Sequence, residues 1–323
     1  MNDLKRYELI RDSFEGQLFC ENNQIKLDDC NIKLIDGEIP NFINNDLDEI
    51  TNKMSNFYHK VKFPNYDDFE DYASLYEKGN SNSFTRRLDQ ELDYGIKVLE
   101  LGCGTGQLSL FLARGNRNIY GVDISSGSLS LGEQFRKSHK INNAFFMKMD
   151  VFDLKFKKNC FDFTISNGVL HHTKDAKNAF QKLVAVTKPG GYLVIGLYHK
   201  YGRFLTKVKQ KIAKLIGKKV YLLDKNSLSI KSKDKRNAWV TDQFLNPHET
   251  LHTPNETFQW FEEENVEFIN LIPHCDEKNI EILKKREKPN ISTFEELFMS
   301  LNPRQIEEGG FFLIIGRKKK KNN

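Results

Sequence analysis

KVLELGCGTG, residues 97–106, is a short apolar run that breaks into three glycines at alternating positions. Its first five residues predict a buried strand and QLSLFLA (107–113) predicts a helix, so the glycines form the turn between them. Glycine lets a chain reverse sharply and lets a ligand approach the backbone with no Cβ in the way. A nicotinamide-binding turn would read GxGxxG and place a pyrophosphate on the helix N-terminus. Here the spacing is GxGxG, and a carboxylate, Glu100, stands just ahead of the first glycine. A carboxylate repels a diphosphate and attracts a cation.

Strands and helices alternate outward from that turn. NIYGVDI (118–124), AFFMKM (144–149), FDFTISN (161–167) and YLVIGLY (192–198) predict four more strands, followed later by VEFINLI (266–272) and FFLIIGR (311–317). Ser125 or Ser126 can cap a helix running to about His139, and residues 175–187 form a helix stopped by Lys188-Pro189-Gly190-Gly191. Apolar strands joined by helices at this spacing predict an α/β fold with a parallel sheet covered on both faces. Asp123 ends the second strand, where a carboxylate can accept both ribose hydroxyls. Asp150 ends the third, placed to accept from an adenine amino group. A nucleoside attached to a cation, with no phosphate, describes S-adenosylmethionine.

With VLELGCGTG, GVDIS, MKMDVFDL, FDFTISNGVLHHT and KPGGYLVIGLY in place, the chain resembles the class I S-adenosylmethionine-dependent methyltransferases. The resemblance is close over 96–198 and looser through 239–272 and the final strand. It implies a Rossmann-like seven-stranded sheet with an antiparallel last strand, and methyl transfer from S-adenosylmethionine as cofactor. It also implies that Glu100, Gly102, Cys103, Gly104 and Gly106 line the methionine side of the pocket. Asp123 with Ile124 would hold the ribose, Asp150 and Val151 the adenine, and Asn167 the pocket edge. Against these roles stand plainer ones: turn geometry for Gly102 and Gly106, a helix cap for Asp123, a turn residue for Asp150, and a small turn residue for Cys103.

Residues 248–252 read HETLH, the pattern of a zinc-peptidase helix. Zinc binding needs His248 and His252 on consecutive turns of one helix. Thr253-Pro254-Asn255-Glu256 is instead a capping box with proline at the first helical position, which leaves His252 outside the helix that follows. No metal is therefore expected there, and a zinc peptidase is a minor alternative. The stretch DQFLNPHETLHTPNETFQWF (242–261) resembles the substrate-pocket element between the fifth and sixth strands of many class I methyltransferases. That makes Asp242, Gln243, His248, Glu249 and His252 candidate substrate contacts, with a self-satisfied polar loop as the alternative. Tyr198 ends the fifth strand and joins them. His171 and His172 follow the fourth strand, at the sheet edge where ligands bind, and either is a candidate base for the attacking nucleophile, with a packing or capping role as the alternative.

The flanking regions divide the chain into a small β-rich extension (1–50), a helical lead-in (51–95) and the methyltransferase domain (96–323) with an insertion at 200–254. IKLIDGEIPNFI (32–43) resembles the closing β-element of Trm112-like modules, though without their CxxC pairs, so structural zinc is not expected. Tyr58, Tyr66 and Tyr76 of the lead-in are candidate pocket residues, with solvated helix faces and buried rings as the alternative. Residues 203–217 predict an amphipathic helix with a basic face, read first as a lid over the active site and otherwise as an anionic-membrane or phosphate-contacting arm.

The net charge of +5 is segregated: residues 317–321 carry five basic side chains, and residues 200–219 carry eight with no acidic one. That suggests a local anionic partner rather than a general nucleic-acid coat. The RKKKK tail is expected to be a solvated end. Five scattered cysteines, no signal-peptide pattern and no long apolar run suit a cytoplasmic protein without a membrane span. The expected activity is methylation of a small-molecule acceptor through oxygen or nitrogen. An RNA methyltransferase is the runner-up, although Ser166-Asn167-Gly168-Val169 replaces the NPPY-like tetrapeptide of such enzymes. A non-catalytic cofactor-binding partner is a further alternative.

Overall fold

The decisive strand, β5 (Lys97–Leu101), buries Val98, Leu99 and Leu101 at the centre of the sheet. The structure is a computed structural model that describes residues 3–21, 23–43, 46–60, 66, 71–272, 281–289, 291 and 310–320. The chain enters through a 3₁₀ segment (Asp3–Ser13) and four short strands, β1 (Leu18–Glu21), β2 (Gln24–Leu27), β3 (Cys30–Ile35) and β4 (Ile39–Asn41). Helices α1 (Glu49–Lys60), α2 (Tyr72–Ser81) and α3 (Ser83–Glu91) precede β5. Then come α4 (Gln107–Leu112), β6 (Asn118–Asp123), α5 (Ser126–Ser138), β7 (Ala144–Lys148), β8 (Phe161–Asn167), α6 (Ala176–Val186) and β9 (Thr187–Tyr198). The connection after β9 holds α7 (Phe204–Ile216), α8 (Lys225–Ser229), α9 (Lys233–Phe244) and α10 (Pro254–Glu263), before β10 (Val266–Ile272) and β11 (Phe311–Lys318).

From β7 onward the sheet order is β7-β6-β5-β8-β9-β11-β10, parallel except for β11, which runs antiparallel between β9 and β10. This is the expected seven-stranded core. Phe145 and Phe146 show how it is packed, one contributing to the apolar layer on each face, as the alternation of a strand buried on both sides requires. Cap chemistry sets the helix starts: Ser125 accepts from the backbone of Ser128, and Thr253 accepts from Glu256 ahead of Pro254.

Three expectations need correction. The N-terminal strands are more than an extension beside a seven-stranded sheet. They continue the sheet to eleven strands, because β4 pairs with β7 at Asn41–Lys148 and Phe42 donates to the Lys148 carbonyl at 2.9 Å. The strand expected from 192 begins at Thr187, opposite Phe161, and a register shift between Phe161 and Phe163 absorbs the glycines. The basic tail is not wholly solvated: Lys318 belongs to β11 and donates to Asn159 Oδ1 and to the carbonyls of Val184 and Thr187.

A buried ion cluster secures the N-terminal segment to the core. Arg6 reaches Glu133 of α5 at 2.8 Å, and Arg136 reaches the same carboxylate at 2.9 Å, while Tyr7 donates to the Phe146 carbonyl at 2.7 Å. Removing one member of such a cluster leaves buried charge unpaired. Glu133→Ala is expected to lower unfolding free energy by about 3–5 kcal/mol, measured by urea titration, because two guanidiniums lose their counter-charge.

Candidate active site

The carboxyl ends of β5, β6, β7 and β8 open into a cavity of about 580 Å³. The glycine turn forms its floor. Gly102 has a positive φ of 75°, and a Cβ there would collide with the Val169 side chain, so the close approach of this turn to the β8 loop requires glycine. Gly106, with φ 77°, starts α4 against the Phe146 ring. Asp123 crosses from the end of β6 to this turn. One of its oxygens accepts from the Gly104 backbone at 2.8 Å and the other from Ser125 at 2.7 Å. A carboxylate offers about four lone-pair directions, so each oxygen keeps capacity toward the cavity. Asp150, beyond β7, accepts from Phe152 at 3.0 Å and lines the same space.

Glu100 is the most perturbed carboxyl of the group. Burial pushes its pKa up to about 8, with Asp123 adding to the rise and a hydrogen bond from Ser109 opposing it. Burial likewise raises Asp123, against hydrogen bonds from the backbone of Ser125, Gly104 and Ile124. Two buried carboxyls with raised pKa values in one cavity disfavour further negative charge and favour a cationic, hydroxyl-bearing ligand.

Of the cofactor residues expected from sequence, Glu100, Gly102, Cys103, Gly104, Asp123, Ile124, Asp150, Val151 and Asn167 line the cavity. Gly106 does not; it shapes the turn from behind. Of the other candidates, His172, Tyr58 and Asp242 line it. His172 Nδ1 lies 2.7 Å from the His248 carbonyl oxygen. A carbonyl only accepts, so Nδ1 carries the proton and Nε2 of the neutral ring keeps its lone pair. Burial lowers the His172 pKa, partly offset by the charge of Asp242, so the ring is neutral at pH 7. Tyr58 donates to Asp242 at 3.1 Å and accepts from Asn246 at 3.1 Å. Its phenol stays protonated because burial, reinforced by Asp242, raises its pKa well above the ordinary value.

The remaining candidates stand outside the cavity. His171 is fully buried between His172 and Tyr198, with ring centroids 4.2 and 4.1 Å away. Tyr198 lies beneath the Arg203 guanidinium at 3.4 Å and accepts from Gln243 at 3.2 Å. Glu249 forms a buried ion pair with Arg203 at 2.7 Å; burial opposes its charge, but Arg203 brings its pKa below the ordinary value. Tyr66 donates to the Thr105 carbonyl at 2.6 Å and stacks on Phe135.

The HETLH stretch forms no helix. His248 Nε2 faces the Thr173 carbonyl at 3.0 Å, while His252 meets Thr250 and Glu256 through its two ring nitrogens and bridges to His199. Among the described residues, no group of three His, Cys, Asp or Glu side chains is arranged to hold a metal ion. The zinc-peptidase geometry is absent because Pro247 and the Thr253 cap confine the stretch to extended backbone.

Sequence reasoning named Tyr58 but missed the rest of its wall. Thr51 and Met54 of α1, Leu75, Lys78 and Gly79 of α2, the cap residue Asn82 and Thr85 of α3 line the cavity with it. Ser55 donates to the Ile124 carbonyl at 3.2 Å and ties α1 to the pocket edge. The signal was available: positions 51, 54 and 58 follow the i, i+3, i+7 spacing of one helix face.

The family model for a methyltransferase domain matches residues 92–263, just over half of the chain. The chain belongs to the class I S-adenosylmethionine-dependent methyltransferases. Among relatives, a demethylmenaquinone methyltransferase of Geobacillus stearothermophilus is 29% identical over 161 residues, covering 42% of this chain and 69% of the relative. A 2-phytyl-1,4-naphtoquinone methyltransferase of Nostoc punctiforme is 29% identical over 155 residues, covering 47% of this chain and 66% of the relative. Among solved structures, magnesium protoporphyrin IX methyltransferase from Synechocystis, with bound S-adenosylhomocysteine, has a TM-score of 0.51 at 14% identity. It covers 84% of this methyltransferase and all (100%) of that chain, a likeness of fold. The cofactor is S-adenosylmethionine, and the cavity fits it: glycines where a Cβ would intrude, and carboxylates with free acceptor capacity at the ends of adjacent strands.

Proposed function

We propose that this methyltransferase alkylates a small-molecule acceptor through oxygen or nitrogen, with the acceptor held beside His172, Tyr58 and Asp242. One observation carries the proposal: a neutral histidine of fixed tautomer shares a single cavity with Glu100 and Asp123. In this reading Asp123 holds the ribose, Asp150 and Val151 the adenine, and Glu100 a cationic group of the methionine portion. When bound, S-adenosylmethionine supplies a methyl carbon already activated by its sulfonium. The protein's own contribution is to hold the nucleophile in line at roughly 3–3.5 Å, which can account for most of the rate. His172 Nε2 takes the proton from the attacking hydroxyl, or from the nitrogen of a neutral amine as its bond to the methyl carbon forms and the sulfur–methyl bond breaks, and the Tyr58–Asp242 pair orients the acceptor by hydrogen bonding.

The relatives named for demethylmenaquinone and 2-phytyl-1,4-naphtoquinone support a small organic acceptor. The RNA alternative lacks comparable support. Its basic segment (200–219) is absent from the cavity lining, and the residue that reaches the cavity from the described connection after β9 is acidic, Asp242.

The test is transfer of an isotopically labelled methyl group into extract from the source cells, with low-mass, lipid, RNA and protein fractions separated afterwards. Label is expected in the low-mass or lipid fraction and absent with Asp123→Ala. Label confined to RNA or protein would overturn the small-molecule assignment.

A further inference from the structure

Helix α7 is turned the wrong way round for a protein interior. It buries Thr206 and Ala213 against its neighbours and leaves Phe204, Leu205, Val208, Leu215 and Ile216 exposed. Phe204 is 67% exposed and Leu215 is 87% exposed. Phe204, Val208 and Leu215 lie along one line of the helix, away from the buried side. The next segment continues the pattern with Leu222, Leu223 and Leu228. Among the described residues, eight of the eleven exposed large apolar side chains fall in this stretch of 25 residues, 204–228. Isolated exposed leucines need no explanation, but a concentration of this kind marks a contact surface.

The charge beside the stripe is of one sign. Lys211, Lys214, Lys218 and Lys219 are exposed, and no acidic residue occurs from 200 to 219. Lys207 and Lys209, by contrast, are held by Glu249 and Asp224. The patch rests on a small core of its own, Ala213, Val220, Val240 and Phe244, which holds the helix in place without using the stripe. The lid expected from sequence therefore does not form through α7. The cavity is reached from α9, by Asp242.

We infer that α7 and the segment to Leu228 form a docking surface for an anionic lipid membrane, lying in the interface with the apolar stripe inserted. Two features select this occupant. An apolar face flanked by lysines matches the layered chemistry of acyl chains beneath anionic headgroups. An RNA-binding arm can stack a base on one aromatic ring, but it has no use for seven aliphatic side chains turned to solvent. No described helix is long and apolar enough to cross a membrane, and the contact proposed is a peripheral one. The inference does not depend on which acceptor is methylated.

Co-sedimentation of the full chain with vesicles tests it, using phosphatidylcholine alone and phosphatidylcholine mixed with phosphatidylglycerol. Binding is expected to the mixed vesicles, to be far weaker to the neutral ones, and to weaken with salt. The double variant Phe204→Glu, Leu215→Glu is expected to lose at least about tenfold in vesicle affinity while keeping S-adenosylhomocysteine affinity, which shows an intact fold. Replacing Lys211, Lys214, Lys218 and Lys219 by Gln is expected to weaken binding by about fivefold per lysine. Failure to bind either vesicle, or binding that the double variant retains, would overturn the inference. So would lysine-dependent RNA binding, or a dimer abolished by Leu215→Glu, in a chain that ignores vesicles.

Discussion

Replacing His172 with alanine is expected to lower turnover by roughly 10²–10⁴-fold, the range of a positioned general base, while cofactor affinity is unchanged. The expectation rests on geometry before pKa. The His248 carbonyl holds the proton on Nδ1, which leaves Nε2 as the only basic atom of the ring that lines the cavity. Burial then lowers the pKa, so the ring is ready to accept a proton at neutral pH. With cofactor saturating at every pH, turnover of the parent should be flat through neutrality and fall only as pH drops through that lowered value. The acid limb should vanish in the alanine variant. A merely structural His172 would change stability or cofactor affinity and leave the limb in place. His171→Ala, by contrast, is expected to act on stability, because His171 is packed between His172 and Tyr198 and does not line the cavity at the ends of β5 to β8.

Glu100→Gln is expected to make the ligand-free protein more stable and cofactor binding weaker, both at alkaline pH. Burial is the main cause of its raised pKa, about 8 in the fold, against roughly 4.3 in an unfolded chain. The folded state therefore holds this proton more tightly than the unfolded state does. The associated stability is fully present below the unfolded value and is lost as pH rises through about 8. Glutamine keeps an acceptor for Ser109 without the buried charge. At about pH 9 the variant is expected to be more stable than the parent by an amount on the order of a few kcal/mol, seen as a melting temperature several degrees higher. Its affinity for S-adenosylmethionine there should fall about 10- to 100-fold, the worth of a hydrogen bond to a charged group. Parent affinity should decline as pH falls below about 8, since the proton must leave Glu100 before a cation is bound, and the variant should lose that slope. Equal melting temperatures and equal affinities would place Glu100 outside the ligand's reach.

How much of this was visible in the residues depended on distance along the chain. β5, β8 and β10 coincide with runs 97–101, 161–167 and 266–272, because each concentrates its apolar residues within five to seven positions, among them Val98, Leu99 and Leu101, Phe161, Phe163 and Ile165, and Val266, Phe268 and Leu271. The glycine turn, Asp123, Asp150 and Asn167 were legible because ligands of such sheets sit at strand ends, and strand ends are local features. The pairing of β4 with β7 was not, since it joins Asn41 to Lys148 across more than a hundred residues with no local signal. Helix α7 was read correctly as amphipathic, but spacing cannot tell whether an apolar stripe faces protein or solvent. HETLH illustrates the converse: Pro247 and the cap at Thr253 excluded a zinc helix from local chemistry alone. That Glu249 is taken up by a buried ion pair was not legible either, because its partner, Arg203, stands 46 residues away.

The central claim is that the cavity at the ends of β5 to β8 is where S-adenosylmethionine binds. Calorimetric titration of S-adenosylhomocysteine into the parent and into Asp123→Ala tests it most directly, because the product binds without any need to know the acceptor. One equivalent is expected to bind the parent, with affinity at least about tenfold weaker in the variant for each charged hydrogen bond lost to the ribose. Melting temperatures recorded alongside would show that the variant is folded. Equal affinity in the two proteins, with both folded, would contradict the account and move the cofactor away from Asp123.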